Sequence, residues 1–307
     1  MKKVLITGLS GFIGNYLAKR LQNKYHIYDL ECDLLDKEAI DKRLDNVQPN
    51  FIIHLAARTE VEKSFYEQTS FSEVNYIGTV NLIESARQLT NLELIVFSST
   101  METYGWQPIS DTIRDGNEDP NNIPAFTEET IQNPNAPYAV AKVGCELYFK
   151  YAQRAYGIPF TAFRQTNTYG RVDNDFFVVE QIIMQMLTND KEINLGYGEP
   201  YRNFLWIDDL IDMYELVLET PDSARGEIFC TGPDNAIKIK DLVNIIASKL
   251  DWNGTVNWNK KPKRHGEIYL LNSSNQKAKD LLGWEPKVDL STGLDRTIEI
   301  WKSKLGK

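Results

Sequence analysis

The chain has 307 residues, of which 42% are hydrophobic and 25% are charged, and its formal net charge is −9. This length and composition predict one large α/β domain or two lobes and exclude wholesale disorder. The acidic balance argues against nucleic acid or an anionic membrane as the general partner, so an anionic substrate would need local arginines.

The cysteines and the N-terminus indicate where the protein works. Cys32, Cys145 and Cys230 are odd in number and lack metal-ligand spacing. We therefore expect reduced thiols, no bound metal and a cytoplasmic location. Lys2 and Lys3 precede too short an apolar run for a signal peptide, and no apolar stretch approaches membrane-spanning length.

The N-terminal stretch predicts a strand, a glycine turn and a helix. Val4 to Ile6 form an apolar run typical of a central parallel strand, and Gly8, Gly11 and Gly14 follow as G-x-x-G-x-x-G. Glycines permit a tight turn and close backbone approach, and a helix N-terminus offers N–H groups and a positive dipole end to a pyrophosphate. The dinucleotide fingerprint is usually G-x-G-x-x-G. The position directly after a strand nevertheless favours a dinucleotide site over a glycine turn without a ligand.

Strand and helix patterns alternate through the first half of the chain. The predicted strands continue with His26–Asp29, Phe51–Leu55, Leu94–Phe97 and Phe160–Phe163. The predicted helices include one capped by Asp36, one near Val74–Leu89 and one from about Tyr138 to Tyr156. Repeated βα units predict an α/β fold with a doubly wound parallel sheet, whose ligands bind at the carboxyl ends of the strands.

The second half is less regular. Its predicted elements are a strand at Ile228–Cys230 and helices at Val178–Leu187, Asp209–Leu218, Lys238–Leu250, between Ser274 as a cap and Gly283, and around Leu294–Leu305. The segment from Trp106 to Pro137 is rich in Pro, Asn and Asp and predicts a long loop.

Two acidic residues follow the second predicted strand. Asp29 falls at its carboxyl end, where a carboxylate accepts hydrogen bonds from an adenosine ribose and repels a 2′-phosphate. This favours NAD over NADP as the cofactor, and the alternative is an ordinary surface acid. Asp33 is a second candidate, which we expect nearer the adenine.

Tyr138 and Lys142 share one face of a predicted helix. A tyrosine with its ordinary pKa of about 10 is a poor base at neutral pH. A neighbouring ammonium and a positively charged oxidised nicotinamide would favour the tyrosinate. The spacing alone also arises by chance on many helices. Ser98 to Thr100 follow a strand, and their hydroxyls either bind a substrate oxygen or are ordinary turn residues.

Taken together, these stretches resemble the extended short-chain dehydrogenase/reductase family, specifically the nucleotide-sugar epimerases and dehydratases, over nearly the whole chain. The matching motifs are Thr7–Gly14 (TGxxGFIG), His54–Ala57, Val74–Thr79 (vNxxGT), Ser98–Gly105 and Tyr138–Lys142 (YxxxK). The resemblance implies a Rossmann-type sheet with a smaller C-terminal α/β substrate-binding lobe. We expect residues 1–168, with roughly 201–232, to bind the dinucleotide, and residues 169–200 and 233–307 to bind the nucleotide sugar.

The resemblance also implies roles for individual residues. Tyr138 would be the base, Lys142 its electrostatic and ribose-binding partner, and Thr100 the hydroxyl that steadies the sugar oxygen. The residues implied to bind the cofactor are Gly8, Gly11, Phe12, Ile13, Gly14, Asp29, Asp33, Leu34, Leu55, Ala56, Ala57, Asn75, Ser98, Tyr138 and Lys142.

Further motifs resemble the sugar-nucleotide side of the family. Arg164–Gly170 is similar to R-x-x-N-x-YG, which implies that Asn167 contacts the sugar or diphosphate. Gly196–Arg202 is similar to GdGxxxR and gives Arg202 a diphosphate role, for which its planar guanidinium is suited. In Arg264–Glu267, which resembles RxGD/E, Arg264 and Glu267 would lie near the nucleotide ribose.

Three features depart from the family pattern. The second strand leads almost directly into Asp33 and Leu34, as in some keto-sugar reductases of the family, which weakens the preference for NAD. The stretch between Thr100 and Tyr138 is long, so an insertion lies near Gln107–Ile123. Glu102 stands where a dehydratase carries a base, but Met101 replaces the polar partner.

The leading interpretation is an NAD-dependent nucleotide-sugar epimerase that acts through a transient 4-keto sugar. The alternatives are a 4,6-dehydratase, a decarboxylase or a 4-keto-sugar reductase of the same family. A non-catalytic dinucleotide-binding sensor is a further alternative, which would not need Thr100, Tyr138 and Lys142. The family also implies a homodimer that pairs through the helices near Val74–Leu89 and Tyr138–Tyr156. The sequence names neither the sugar nor its nucleotide.

Overall fold

The computed structural model describes residues 1–116, 119–260 and 266–307. Within these ranges the strands are β1 (Lys3–Thr7), β2 (His26–Asp29), β3 (Phe51–His54), β4 (Leu94–Thr100), β5 (Phe160–Gln165), β6 (Asn167–Tyr169), β7 (Glu192–Asn194), β8 (Tyr201–Arg202), β9 (Phe204–Trp206), β10 (Ile228–Cys230), β11 (Ile237–Lys238), β12 (Thr255–Asn257) and β13 (Leu270–Leu271).

The described α-helices are α1 (Phe12–Leu21), α2 (Lys37–Val47), α3 (Val61–Ser64), α4 (Gln68–Ser72), α5 (Gly78–Ala86), α6 (Ile109–Arg114), α7 (Pro137–Tyr156), α8 (Val178–Thr188), α9 (Ile207–Glu219), α10 (Pro221–Ala224), α11 (Ile239–Lys249), α12 (Gln276–Leu282) and α13 (Leu290–Leu305). A π-helix spans Glu73–Ile77, and 3₁₀ turns span Met101–Tyr104 and Pro120–Asn122.

Six strands form a parallel sheet in the order β10-β5-β4-β3-β1-β2. Its inner strands are continuous apolar runs because both faces are covered. The apolar cluster on one face includes residues of α1, α8 and α9, and the cluster on the other face includes residues of α2, α5 and α7. The predicted doubly wound parallel sheet is therefore confirmed. From β1 the chain turns to β2 on one side and β3 on the other, which makes a topological switch point beside β1.

In the described part of the chain, three small sheets lie outside the main one: β11-β8-β13, β12-β7 and β6-β9. Their strands come from residues 167–271, most of which the sequence assigns to the substrate lobe. The boundaries of that lobe remain a prediction. None of the helices in the described part of the chain has the length and apolar character needed to cross a membrane.

The ends of helices α2 and α12 lie at or within one residue of the predicted capping residues. Asp36 caps α2 by accepting a hydrogen bond from the Ala39 N–H, as predicted. Helix α12 begins at Gln276 with Asn275 at its cap, one residue later than the predicted cap Ser274. The Ser274 hydroxyl still accepts from the Gln276 N–H, and Gly283 ends the helix with φ +69°, as expected of a left-handed terminator.

Two element predictions are wrong in part. The helix predicted near Val74–Leu89 is instead a π-helix at Glu73–Ile77 followed by α5, which ends at Ala86. The predicted loop Trp106–Pro137 contains α6 and a 3₁₀ turn. Helix α6 forms because Ile109 packs on an apolar cluster that holds Met101, Tyr104, Phe126, Ile268 and Leu271. That cluster joins segments far apart in the chain, so local composition could not reveal it.

Candidate active site

The glycine turn between β1 and α1 forms a cradle of bare backbone. Gly8 has φ +74°, and its carbonyl oxygen accepts from the Gly11 N–H at 3.0 Å. A Cβ at Gly14 would collide with that same carbonyl oxygen, so a side chain there is excluded. Helix α1 then begins at Phe12 without a side-chain cap. Its first N–H groups, including that of Ile13, therefore remain suited to an anionic pyrophosphate.

A chain of buried hydrogen bonds joins the ends of β1 and β3. The Thr7 hydroxyl accepts from the N–H groups of Leu55 and Ala56 and lies 2.7 Å from Nδ1 of His54. Because that hydroxyl oxygen already accepts two hydrogen bonds, it donates its own proton to Nδ1 of His54. Nε2 of His54 then carries the ring proton and donates to the Thr79 hydroxyl at 2.9 Å. Burial and then the Lys142 ammonium lower the pKa of His54 to about 3.

His54 therefore stays neutral and fixes the strand end that continues into Leu55, Ala56 and Ala57. In the sequence, His54 is marked only as the first residue of the motif His54–Ala57, and no local signal distinguishes a histidine held between two threonines. The backbone N–H and Cα of Ala56 approach the cradle so closely that a Cβ on Gly8 would lie 3.0 Å from the nitrogen. The strand end and the glycine turn are thus one surface.

Asp29 lies at the carboxyl end of β2, level with Ile6 of β1. Its carboxylate accepts from the Leu30 N–H at 2.8 Å, and its carbonyl oxygen accepts two bonds from the Arg43 guanidinium. Arg43 also forms an ion pair of 2.9 Å with Glu31. The nearby arginine is therefore already bound to protein oxygens.

Asp33 and Leu34 have different surroundings. Asp33 is exposed, and its carboxylate accepts from the Leu35 N–H at 2.9 Å, which closes the turn before α2. Leu34 is buried against Gly78, and its carbonyl oxygen accepts from the Asn81 amide. Leu34 therefore anchors the turn that presents Asp33.

Asn75 is 1% exposed and lies in the π-helix. Its amide accepts from the Arg58 N–H at 2.8 Å and donates to the Arg58 carbonyl at 2.9 Å. Both ends of the side chain thus hold the loop after β3. Asn75 shapes the predicted cofactor surface from behind, through the backbone of Arg58.

Lys142 is buried beneath the end of β4. Its ammonium donates to the Ser98 carbonyl oxygen at 2.7 Å and lies 4.6 Å from the centre of the Phe97 ring. Burial lowers the pKa of Lys142 to about 8, while Cys145 and Glu146 act in the opposite direction. The ammonium therefore predominates at neutral pH, and the contact with Ser98 fixes it beside the strand end.

Tyr138 lies in the first turn of α7, one turn before Lys142. Burial, followed by the carboxylate of Glu102, raises the pKa of Tyr138 above its ordinary value, and a hydrogen bond with the Thr100 hydroxyl acts to lower it. The same Thr100 oxygen accepts from the Glu102 N–H at 3.2 Å. The structure therefore brings Thr100, Glu102, Tyr138 and Lys142 together at the carboxyl edge of β4, although the protein groups named here leave Tyr138 protonated at neutral pH.

Glu102, Arg202 and Glu267 line one cavity next to these residues. The guanidinium of Arg202 forms an ion pair of 3.1 Å with Glu267. The other walls of the cavity include Val61, Phe65, Asn135, Ala136, Gly266 and Ile268. The sequence did not point to Val61, Phe65 and Asn135, which come from α3, from the residue after it and from the loop before α7. No spacing marks them, because only the fold brings these segments to the cavity.

The remaining predicted substrate residues are placed as follows. The Asn167 amide donates to the Asn203 carbonyl at 3.1 Å at the start of β6. Arg264 lies outside the described residues. Met101 does not face the cavity: it is 2% exposed and packs in the apolar cluster under α6. The residue that replaces the polar partner of dehydratases is therefore a core residue.

The chain belongs to the NAD dependent epimerase/dehydratase family, because the model of that family matches residues 4–232. It is similar to the crystal structure of a UDP-glucose 4-epimerase from Thermotoga maritima with UDP-glucose. That similarity has a TM-score of 0.87 and 26% identity and covers 99% of each chain. This comparison agrees with the Rossmann-type fold.

Curated relatives are named for two reactions. A UDP-glucose 4-epimerase from Mycolicibacterium smegmatis is 26% identical over 98% of this chain and 99% of its own length. A dTDP-glucose 4,6-dehydratase from Escherichia coli K12 is 25% identical over 98% of this chain and 93% of its own length. The family is thus one of enzymes that act as epimerases and as dehydratases.

Proposed function

We propose that this chain is an NAD-dependent nucleotide-sugar epimerase in which Tyr138 is the base. The observation that carries the proposal is the buried grouping of Tyr138, Thr100 and Lys142 at the edge of the sheet that also holds the glycine cradle. A tyrosine, a hydroxyl and an ammonium are the groups that proton transfer with a sugar alcohol requires. A sensor of dinucleotides would need none of them.

The residues present fit NAD. The cradle that a Cβ at Gly14 would fill, with the uncapped start of α1, suits the pyrophosphate. Asp29 would hold the adenosine ribose, with Asp33 near the adenine, and Lys142 the nicotinamide ribose. The guanidinium of Arg43 already binds the Asp29 carbonyl oxygen and the Glu31 carboxylate, so it is poorly placed to bind a 2′-phosphate. This supports NAD over NADP as the cofactor. When bound, NAD would supply a reversible acceptor for the hydride that leaves C4 of the sugar.

The chain's own residues would handle the proton. Tyr138 would accept the proton of the sugar 4-hydroxyl and later return it, while Thr100 steadies the sugar oxygen. The buried ammonium of Lys142 would favour the tyrosinate, which burial and Glu102 oppose. Arg202, with Asn167, would bind the diphosphate, and Glu267 would turn to the nucleotide ribose.

Dehydration is the second candidate, because Glu102 lines the cavity beside Tyr138. A 4,6-dehydratase needs a base for the C5 proton and an acid for the departing C6 hydroxyl. Glu102 could serve as the base, but Met101 is a core residue and Glu267 is paired with Arg202. Among the residues that the structure describes, neither Met101 nor Glu267 offers an unpaired acid for the C6 hydroxyl, and this favours epimerisation.

The decisive experiment offers UDP-, dTDP-, GDP- and CDP-hexoses, including uronic acids and 4-keto sugars, with and without added NADH or NADPH. The molecular mass of each product is then measured by mass spectrometry. Epimerisation leaves the mass unchanged without reductant, and this is the result we expect. Loss of water would indicate a dehydratase, loss of carbon dioxide a decarboxylase, and a gain of two hydrogens a reductase. No turnover of any compound together with no dinucleotide binding would refute the proposal.

We further propose that the protein is a homodimer. Val140, Leu147 and Tyr151 form an exposed stripe along α7, and Ile77 is exposed on the neighbouring π-helix. An apolar helical stripe of this kind suits burial against the same stripe of a second copy related by a two-fold axis. The substrate lobe, residues 169–200 and 233–307, lies outside this pairing in the proposal.

A further inference from the structure

A buried ion pair lies directly behind the candidate catalytic residues. Glu146 of α7 and Arg164 of β5 are joined at 2.8 Å between Oε2 and Nη2, and their side chains are 1% and 3% exposed. Arg164 opens the motif that resembles R-x-x-N-x-YG, but the proposed function uses only Asn167 from that motif. A fully buried pair of charges is costly to desolvate, so the contacts that it makes need an explanation.

The carboxylate of Glu146 collects donors from three segments. Its Oε1 accepts from the Ser99 hydroxyl at 2.5 Å and from Nε of Arg164 at 3.2 Å. Its Oε2 accepts from the Gln132 amide at 2.9 Å as well as from Arg164. One carboxylate thus ties α7 to the end of β4, to β5 and to the loop that leads into α7.

These attachment points adjoin the residues of the proposed mechanism. Ser99 immediately precedes Thr100, and Glu146 follows Lys142 by one helical turn on the helix that carries Tyr138. The carboxylate therefore fixes the distance between the helix that presents the phenol and the strand end that presents its hydrogen-bond partner.

Arg164 extends the network to the turn that bears Glu102. Its Nη1 donates to the Tyr104 hydroxyl at 3.1 Å and to the Glu128 carbonyl oxygen at 3.1 Å. Tyr104 is fully buried in the same 3₁₀ turn as Glu102, and its hydroxyl lies 2.9 Å from the Thr127 carbonyl oxygen. The guanidinium thus holds the turn through Tyr104, and neither Arg164 nor Tyr104 is part of the cavity lining.

We propose that Glu146 and Arg164 are positioning residues that set the relation between Thr100, Tyr138 and the Glu102 turn. This proposal rests on the proposed function, since it assigns the network to the proton transfer at Tyr138. Neither residue lines the cavity formed by Glu102, Arg202 and Glu267. They act through the backbone and side chains that they hold, and displacement of a reacting group by about 1 Å can cost roughly a hundredfold in rate.

The test replaces both charges at once, because either single variant leaves an unpaired buried charge and confuses stability with position. In Glu146→Leu/Arg164→Met, apolar side chains of similar length fill the space but cannot bond Ser99, Gln132 or Tyr104. We expect an unfolding temperature near that of the wild type, retained dinucleotide, KM within about twofold and kcat reduced at least tenfold. A purely structural pair would leave kcat unchanged in a folded double variant, and this result would overturn the proposal.

Two milder variants cover the case in which the double variant fails to fold. Ser99→Ala and Tyr104→Phe each remove one hydrogen bond between the network and a catalytic segment without leaving a charge unpaired. Each should lower kcat severalfold at constant KM, and full activity in both would overturn the proposal. The matched control is Arg20→Met/Asp212→Leu, which removes a helix-to-helix ion pair between α1 and α9 and should keep kcat.

Tyr138→Phe is measured beside these variants with the substrate that the panel identifies. A fully active Tyr138→Phe would refute the proposed function itself. An inactive Tyr138→Phe beside a fully active double variant would refute only the positioning role. The two failures are therefore distinguishable.

Discussion

After burial, the strongest influence that raises the pKa of Tyr138 is the carboxylate of Glu102. The two residues come from different elements, since Glu102 lies in the 3₁₀ turn after β4 and Tyr138 in the first turn of α7. The proposed general base, which would have to ionise near neutral pH, is thus placed near a negative charge. That charge makes Glu102 the residue whose replacement best separates the two candidate reactions.

Glu102→Gln removes this charge and therefore lowers the pKa of Tyr138. In an epimerase, the acid limb of the kcat/KM profile should move to lower pH by about half a unit or more, with turnover retained. The measurement is a pH–rate profile, and Glu129→Gln, an exposed substitution, is the control. An unmoved acid limb would contradict the predicted influence on Tyr138. A water-loss product that vanishes in Glu102→Gln would instead establish dehydration.

Tyr138→Phe removes the ionisable oxygen and little else. The fold and dinucleotide binding should persist, while turnover should fall by ~10²–10⁴-fold, the usual contribution of a positioned base. Steady-state kinetics and the amount of dinucleotide released on denaturation give the two readouts. Tyr156→Phe, at the other end of the same helix, is the matched control. Near-normal turnover of Tyr138→Phe would transfer the role of base to another residue.

The sequence predicted the elements that depend on local patterns. The glycine turn, the buried strands and the amphipathic helices α7, α8, α9, α11 and α13 each have a signature within a few turns of chain. The motifs also located Thr100, Tyr138, Arg202 and Glu267, and the fold brings the first two together at one strand end and the last two in the adjoining cavity.

Long-range packing explains what the sequence could not reveal. Met101 occupies the position at which the dehydratase motif carries a polar residue, but its side chain packs in an apolar cluster with Phe126, Ile268 and Leu271. His54 looked ordinary because its partners Thr7 and Thr79 come from other elements. The Glu146–Arg164 pair likewise joins a helix to a strand, and no residue adjacent to either one in the sequence indicates this contact.

Asp29→Asn tests the cofactor preference. The neutral amide no longer repels a 2′-phosphate, so the ratio of NAD to NADP affinity should fall by roughly tenfold, equivalent to about 1.4 kcal/mol at a partly solvated site. Titration of both dinucleotides into protein freed of cofactor measures the ratio, with Asp45→Asn on exposed α2 surface as the control. Stoichiometric NADP released from the wild-type protein would show that the role given to Asp29 is wrong.

His54 predicts how stability changes with pH. Its pKa is about 3 in the folded protein, against 6.5 for the free side chain. Below pH 6.5 the unfolded chain binds a proton at this histidine that the folded chain excludes. The contribution of His54 to the free energy of unfolding is therefore fully present above pH 6.5 and is lost as the pH falls towards 3. The loss from this group is about 1.4 kcal/mol per pH unit.

His54→Gln should therefore flatten the decrease in unfolding free energy between pH 6.5 and pH 4.5, although the variant is less stable at pH 7. Denaturant unfolding at several pH values measures the slope. His26→Gln, which alters an exposed histidine at the start of β2, should keep the slope of the wild type. A slope in His54→Gln equal to that of the wild type would show that another group governs the acid response.

Leu147→Asp tests the proposed dimer. Leu147 is 59% exposed in the middle of the α7 stripe, between Val140 and Tyr151. Light scattering at micromolar concentration should give twice the chain mass of 35.3 kDa for the wild type and the single mass for the variant, because burying two aspartates against each other costs more than such a contact gains. Leu281→Asp, at a leucine on α12 that is 49% exposed, should leave the dimer intact. A wild-type protein of single mass would refute the dimer, and a dimeric Leu147→Asp would place the interface elsewhere.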